Sequence, residues 1–341
     1  NLGKTFPNPT VGCVISKNNI IISKAVTSAT GRPHAEEIAL KKAGKKAKGA
    51  IMYVTLEPCF HNSQNGSCAD QILRSGINKI YISCIDEDPR TKKKSISKLK
   101  KNKIKVITGI EKDKTISVNN FYFKSLKKKK PFTKVKMAIS NDNKIAWSNY
   151  KSKWISNSKS RAYVHSLREK TQAILTTSKT ILIDNPRFTV RKKNKIIKNL
   201  NVIIIDKNLN IPLNINLLKN LHERRVIIFT SKKNNKSQKL KQLGCEIIEM
   251  KIVNNKFDLK KIFSHIYQLK ISDLMVEAGG ILFADLIKNN LVDEILLFKA
   301  PYIIGEKGVP VIEGNSLNNI KKKLLEIIKF DDNLYLKYAI K

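Results

Sequence analysis

Three side chains able to bind a metal stand in three short segments. They are His34 in Pro33-His34-Ala35-Glu36, Cys59 at the end of Thr55-Leu56-Glu57-Pro58-Cys59, and Cys68. One imidazole and two thiolates suit zinc, and three protein ligands leave a fourth position for water. Glu36, two residues past the histidine, can move protons to and from that water. A structural zinc would normally be closed by four protein ligands. The nearest candidate for a fourth is His61. Each piece alone is weak, since a Pro-Cys pair often marks a buried, inert thiol. Together they point to hydrolysis at a metal-activated water.

A Glu two residues past a His, followed by Pro-Cys and a further Cys, is the pattern of zinc deaminases that attack an amino-bearing ring carbon. Nucleic-acid-editing members carry Pro-Cys-x-x-Cys. Here eight residues, Phe60 to Ser67, separate the two cysteines. With Pro7–Val14, Gly31–Glu36 and Tyr53–His61, this longer spacing resembles the deaminase half of the bifunctional riboflavin-biosynthesis deaminase/reductases. The resemblance implies zinc on His34, Cys59 and Cys68, proton transfer by Glu36, and substrate contacts from Asn8 and His61. It also has departures. Four residues precede Thr5 where the family opens with a helix, Thr27 replaces a usual His, and the loop before Cys68 differs.

In the second half, Val276-Glu277-Ala278-Gly279-Gly280-Ile281-Leu282 reads as a strand, a turn and a helix. Paired glycines let backbone approach a phosphate, and a helix N-terminus supplies N–H donors. Paired glycines are also common in plain tight turns. There is no G-x-G-x-x-G fingerprint, which argues against a standard dinucleotide-binding fold. Lys136–Ser140, Ser152–Ile155, Leu167-Arg168, Thr180–Pro186, Thr189–Arg191 and Leu291–Glu294 resemble the reductase half of the same family. The resemblance implies a dihydrofolate-reductase-like fold that uses NADPH. It assigns Ala138, Trp154, Thr180, Asp184, Asp206, Gly279, Gly280, Ile281, Leu282, Phe283, Ala284 and Asp285 to the cofactor. It assigns Ser152, Arg168, Phe188, Arg191 and Glu277 to the substrate. From the residues alone, Arg168 and Arg191 fit phosphate clamps or ordinary surface arginines. Trp154 fits a pocket wall or a core residue, and Asp184 a ligand or a turn former.

The implied activity is hydrolytic deamination of 2,5-diamino-6-ribosylamino-4(3H)-pyrimidinone 5′-phosphate, then NADPH-dependent reduction of ribosyl to ribityl. The substrate is thus a small phosphorylated pyrimidine. Two rivals stay open: a degenerate deaminase scaffold on an active reductase, and a nucleic-acid-editing deaminase.

The elements that must position these residues read as α/β. Val11–Ile15 and Ile20–Ser23 suggest a hairpin across Asn18-Asn19. Helices are expected over Ala35–Ala43 and Cys68–Ser75, closed by Gly44 and Gly76. Strands are expected at Ile51–Leu56, Lys79–Cys84 and Ile104–Thr108. Both metal motifs open helices, whose N-termini favour thiolate. The basic stretch before Pro131 reads as a linker. This gives a cytidine-deaminase-like three-layer domain over 1–128 and a reductase domain over 129–341. After Pro131, strands are expected at Val135–Ile139, Ala173–Leu175, Val202–Ile205, Val226–Phe229, Cys245–Ile248 and Asp273–Glu277. Helices are expected over Ser160–Glu169 and Ile281–Asn289, and Glu294–Ala300 and Leu334–Ile340 read as terminal strands.

Hydrophobic residues at 41% and charged residues at 27% suit a globular chain. No apolar run could span a bilayer. Five cysteines, two in a zinc pattern, argue for a reducing compartment, hence the cytoplasm. Cys13, Cys84 and Cys245 sit in apolar surroundings and read as small buried hydrophobes. The net charge of +39 is spread over both halves and is mostly lysine. Without a distinct basic domain it does not imply specific nucleic-acid binding. Homo-oligomer formation is compatible with everything above.

Overall fold

The computed structural model describes residues 1–61, 66–150, 154–313 and 320–340. The chain divides between Lys129 and Lys130 into two compact units.

The first unit runs β1 (Gly12–Lys17), β2 (Ile20–Val26), α1 (Ala35–Ala43), β3 (Ile51–Leu56), α2 (Cys68–Ser75), β4 (Lys79–Cys84), α3 (Lys94–Lys101), β5 (Lys105–Thr108), α4 (Lys112–Val118) and α5 (Asn120–Lys128). Asn18 and Asn19 turn β1 into β2 with φ of 50° and 61°, the backbone such a tight hairpin needs. The sheet order is β2-β1-β3-β4-β5. β1 is antiparallel to both neighbours, and β3, β4 and β5 are parallel. Alternation puts Cys13, Ile15, Met52, Val54, Ile80 and Ile82 on one face. Ala35, Ala39 and Ala43, four residues apart, bring α1 close against that face, with Ile72 of α2 and Leu99 of α3. Ser83 faces the other way and meets Thr115 of α4 at 2.7 Å. The unit is therefore three layers. β2 and β3 run in the same direction, so the helices that follow them start at the same edge of the sheet. The basic stretch expected as a linker is largely the last turn of α5, where lysines suit the negative end of the helix.

The second unit runs β6 (Phe132–Ile139), β7 (Lys144–Ala146), α6 (Ser158–Glu169), β8 (Ala173–Thr177), α7 (Ser178–Asp184), β9 (Thr189–Lys192), β10 (Lys195–Asn199), β11 (Asn201–Ile205), β12 (Val226–Thr230), α8 (Asn235–Gln242) and β13 (Glu246–Glu249). It continues through β14 (Ile252–Val253), β15 (Lys256–Phe257), α9 (Leu259–Gln268), β16 (Asp273–Val276), α10 (Gly280–Lys288), β17 (Glu294–Lys299), β18 (Val309–Pro310), β19 (Lys322–Phe330) and β20 (Asn333–Ile340). Nine strands form one sheet, β13-β12-β11-β8-β16-β6-β17-β20-β19. All pairings from β13 to β17 are parallel, and β20 is antiparallel to both neighbours. Parallel strands covered on both faces read as unbroken apolar runs, as Val226–Phe229 and Leu274–Val276 do, at 1% exposure or less. In the Ser140–Asn143 turn, Asn143 takes φ 60° and Asp142 accepts the N–H groups of Ile304 and Gly305. Neither α9 nor β19 is among the elements expected from sequence. Leu259, Ile262, Phe263 and Ile266 are the helical-period core stripe of α9. Lys322–Phe330 alternates poorly, and only its pairing with β20 makes it an edge strand.

Candidate active sites

In the first unit, His34 sits at the N-cap of α1 and Cys68 opens α2. Glu37 fixes the start of α1 by accepting the His34 N–H at 3.0 Å. Ser67 caps α2 by accepting the Asp70 N–H. Cys59 lies just beyond β3 and accepts the Cys68 N–H at 3.3 Å. The ligand atoms of His34, Cys59 and Cys68 all lie within 4.8 Å of one another. His61 is not in the cluster. Glu57 braces the Cys59 loop. Its buried carboxylate accepts the N–H groups of Asp86 and Lys93 and, at 2.8 Å, the Ser95 hydroxyl.

The donors fit a divalent cation. Hydrogen bonds from Cys68 draw the Cys59 thiol far down, to about 4, while Cys59 and burial push Cys68 up. Without a cation the pair thus keeps one proton, on Cys68, and a cation between the two sulfurs would favour both as thiolates. Burial alone would lower His34, but Cys59 and Glu36 outweigh it and raise it. Glu36 is 3% exposed, and burial brings its carboxyl up to about 7. Asn8 does not approach the cluster through any hydrogen bond. It donates to the Gly31 carbonyl at 3.0 Å and shapes the turn leading to His34. Gly31 has φ +85°, and a Cβ there would stand 2.7 Å from Asn8 and from the Thr5 carbonyl, so only glycine fits. Thr27 bonds the Val11 backbone and acts as a strand clamp. His61 Nδ1 is buried with no partner among the described residues. A separate groove of about 760 Å³, beside Val14, Tyr53, Tyr81 and Ile110, contains none of the three ligands.

The second unit has a cavity of about 1070 Å³. Lys136, Arg161, Arg168, Lys179, Arg187, Arg191, Lys207 and Lys256 outnumber its acidic groups, which suits anionic ligands. Of the expected residues, Ala138, Trp154, Thr180, Asp184, Phe188, Arg168, Arg191, Glu277, Gly279, Gly280, Ile281, Leu282 and Asp285 line it. Phe283 and Ala284 face the core side of α10 and do not. Asp206 is also off the lining. It is fully buried and spends its carboxylate on the N–H groups of Asn210 and Ile211, as a turn former does. Ser152 lies outside the described residues. Trp154 is 64% exposed with Arg161 stacked 4.3 Å from its ring, so it is a wall and not core.

Arg168 is not the free clamp its sequence context suggests. Its Nε and Nη2 meet the two Glu277 oxygens at 2.7 and 2.9 Å, and Lys136 stands 3.5 Å away. Burial would raise Glu277, but Arg168 and Lys136 outweigh it and hold the carboxyl down at about 2. The paired glycines differ. A Cβ on Gly280 would sit 2.8 Å from the Pro310 carbonyl and 2.9 Å from that of Val311, so a close approach of chain to chain requires this glycine. A Cβ on Gly279 would meet nothing within 4 Å. Lys136 and His165, both on the cavity wall, were not singled out from sequence. For Lys136 the available signal was its place one turn of alternation from Ala138 on β6.

Comparison with known proteins accords with both halves. Residues 131–336 match the RibD C-terminal domain, and residues 1–84 match the cytidine and deoxycytidylate deaminase zinc-binding region. The riboflavin biosynthesis protein RibD of Aquifex aeolicus is 37% identical over 332 residues, 94% of this chain and 90% of that one. The structure of Acinetobacter baumannii RibD superposes with a TM-score of 0.90 at 30% identity, covering 100% of this chain and 94% of that one. A Thermotoga maritima diaminohydroxyphosphoribosylaminopyrimidine deaminase/5-amino-6-(5-phosphoribosylamino)uracil reductase does so at 0.86 and 28%, covering 100% of this chain and 94% of that one. With a zinc-type deaminase unit followed by an NADPH-dependent reductase unit along its length, the chain belongs to the RibD family of bifunctional riboflavin-biosynthesis enzymes.

Proposed function

We propose that the first unit deaminates 2,5-diamino-6-ribosylamino-4(3H)-pyrimidinone 5′-phosphate and that the second reduces the ribosyl group of the product to ribityl. The observation that carries the first half is the buried Glu36 beside the His34, Cys59 and Cys68 cluster. Those three residues would hold zinc, which when bound supplies the Lewis acidity that makes water a nucleophile at neutral pH. Glu36 takes a proton from the attacking water and delivers one to the departing ammonia. His61, whose Nδ1 has no partner among the described residues, is a ligand for the pyrimidine or ribose. Asn8 acts at the same site by holding the turn before His34.

In the second unit, NADPH supplies the hydride. Trp154, Thr180, Asp184 and the Gly279 turn, all on the cavity lining, would hold it. Arg191 faces the phosphorylated sugar, and the Arg168–Glu277 pair fixes the floor beneath it. The enzyme works in the cytoplasm, a reading supported by five free thiols. Among the described residues no helix is long and apolar enough to cross a membrane.

The test supplies the pyrimidinone phosphate with and without NADPH and follows ammonia and NADPH separately. Ammonia release in both cases, with NADPH oxidation only after deamination, is expected. NADPH oxidation without ammonia release would instead favour a degenerate deaminase scaffold.

A further inference from the structure

Arg161, Val164, His165 and Arg168 recur at helical spacing on α6, and all four line the second cavity. Arg168 commits all three of its nitrogens within the protein, one N–H from each. Two of its nitrogens hold Glu277 and the third lies 3.4 Å from the Thr189 carbonyl. Arg191 faces the same corner from β9. Its Nε donates to Thr189 Oγ1 at 3.2 Å, and its side chain has no other partner among the described residues. The Arg191 backbone N–H points at His165 Nδ1, 3.2 Å away. An N–H aimed at Nδ1 needs a lone pair there, so the neutral ring carries its proton on Nε2. Burial, Arg168 and Arg191 hold the imidazole below its ordinary value, opposed more weakly by a hydrogen bond between the ring and the Thr189 backbone and by Glu277. His165 is therefore a neutral donor between two cations.

We propose that His165 is a phosphate ligand of the reductase unit: Nε2–H donates to the substrate phosphate, while Nδ1 positions the Arg191 backbone so that its guanidinium reaches the same anion. The inference rests on the reading that a phosphorylated substrate enters this cavity. It assigns the anion's recognition to a neutral donor and one guanidinium, with Arg168 serving Glu277.

The experiment compares His165→Asn, which keeps an acceptor near Nδ1 but has nothing at Nε2, with His165→Gln, which restores an N–H donor there. Both are made in the full chain. KM is measured for the deaminated phosphorylated substrate, for its dephosphorylated form and for NADPH. His165→Asn is expected to raise KM for the phosphorylated substrate by roughly tenfold, the worth of one hydrogen bond to a charged group. NADPH and the dephosphorylated form should be little affected, and His165→Gln should recover most of the loss. Equal losses on both substrates, or an unchanged KM, would overturn the proposal. Calorimetry with inorganic phosphate and ribose 5-phosphate, needing no turnover, decides separately. Wild-type binding that His165→Asn loses supports the proposal. Equal binding, or no binding by the wild type, overturns it. The ¹⁵N shift of His165 in the unsubstituted chain is expected to move when phosphate is added, and a fixed shift also overturns it. A wild type that binds phosphate but does not reduce the pyrimidine would mean that the functional reading has failed and not this one.

Discussion

Glu277 and Arg168, 109 residues apart in sequence, meet through two parallel hydrogen bonds of 2.7 and 2.9 Å on the wall of the second cavity. A buried, fully paired carboxylate of this kind makes the unit sensitive to acid. The folded-state carboxyl lies at about 2 against an ordinary 4.5, so the native state binds fewer protons than the unfolded one. The stabilisation is full above pH 4.5 and is lost as pH falls from 4.5 to 2. Glu277→Gln should flatten the pH dependence of unfolding in that window and lower stability at neutral pH, because Arg168 is left buried without its counter-charge. An unchanged acid limb in a denaturant series from pH 5 to 2 would contradict this.

The two glycines at the start of α10 should respond differently to valine. Gly280→Val pushes into the carbonyls of Pro310 and Val311 and should destabilise the unit by about 1–3 kcal/mol, as overpacking does. Gly279→Val adds a side chain on the cavity wall in open space. It should leave thermal stability nearly unchanged and raise KM for NADPH. Unaltered NADPH affinity in Gly279→Val would put the cofactor elsewhere.

Cys59→Ser removes one of the three donors and the neighbour that raises the Cys68 thiol. Zinc content should fall from about one per chain, in line with three-ligand sites, and deamination should stop. Reduction of already deaminated substrate should continue, because the cavity in the second unit contains none of these ligands. Full zinc retention in Cys59→Ser would contradict the ligand set.

The net charge of +39 predicts non-specific binding of nucleic acid, and the eight residues between Cys59 and Cys68 predict no editing. Affinity for single-stranded DNA or RNA stem-loops should be sequence-blind and fall steeply with salt, because only counterion release drives it. Sub-micromolar binding at physiological salt together with base conversion would restore the editing reading.

How much was legible in the sequence follows from the range of the interactions. His34, Glu36, Cys59 and Cys68 could be found because local motifs carry them; helix starts place His34, Glu36 and Cys68, while Cys59 follows the end of β3. The strands around Val226 and Leu274 stood out because burial on both faces writes an unbroken apolar run. The partners of Arg168 and the reason for Gly280 were hidden, since both are set by segments distant in the chain. Asp206 carries no sequence sign of being consumed by its own turn. His165 was equally silent, because its role depends on a backbone N–H donated from another element.

The most direct test of the account is ammonia release by Glu36→Gln, measured on the metal-loaded enzyme with NADPH oxidation followed in parallel on deaminated substrate. The account predicts a folded, zinc-containing protein whose deamination is slowed on the order of 10²–10⁴-fold while its reductase rate is unchanged. Near-normal ammonia release from Glu36→Gln would show that another group moves the proton, and would contradict the assignment of the first active site.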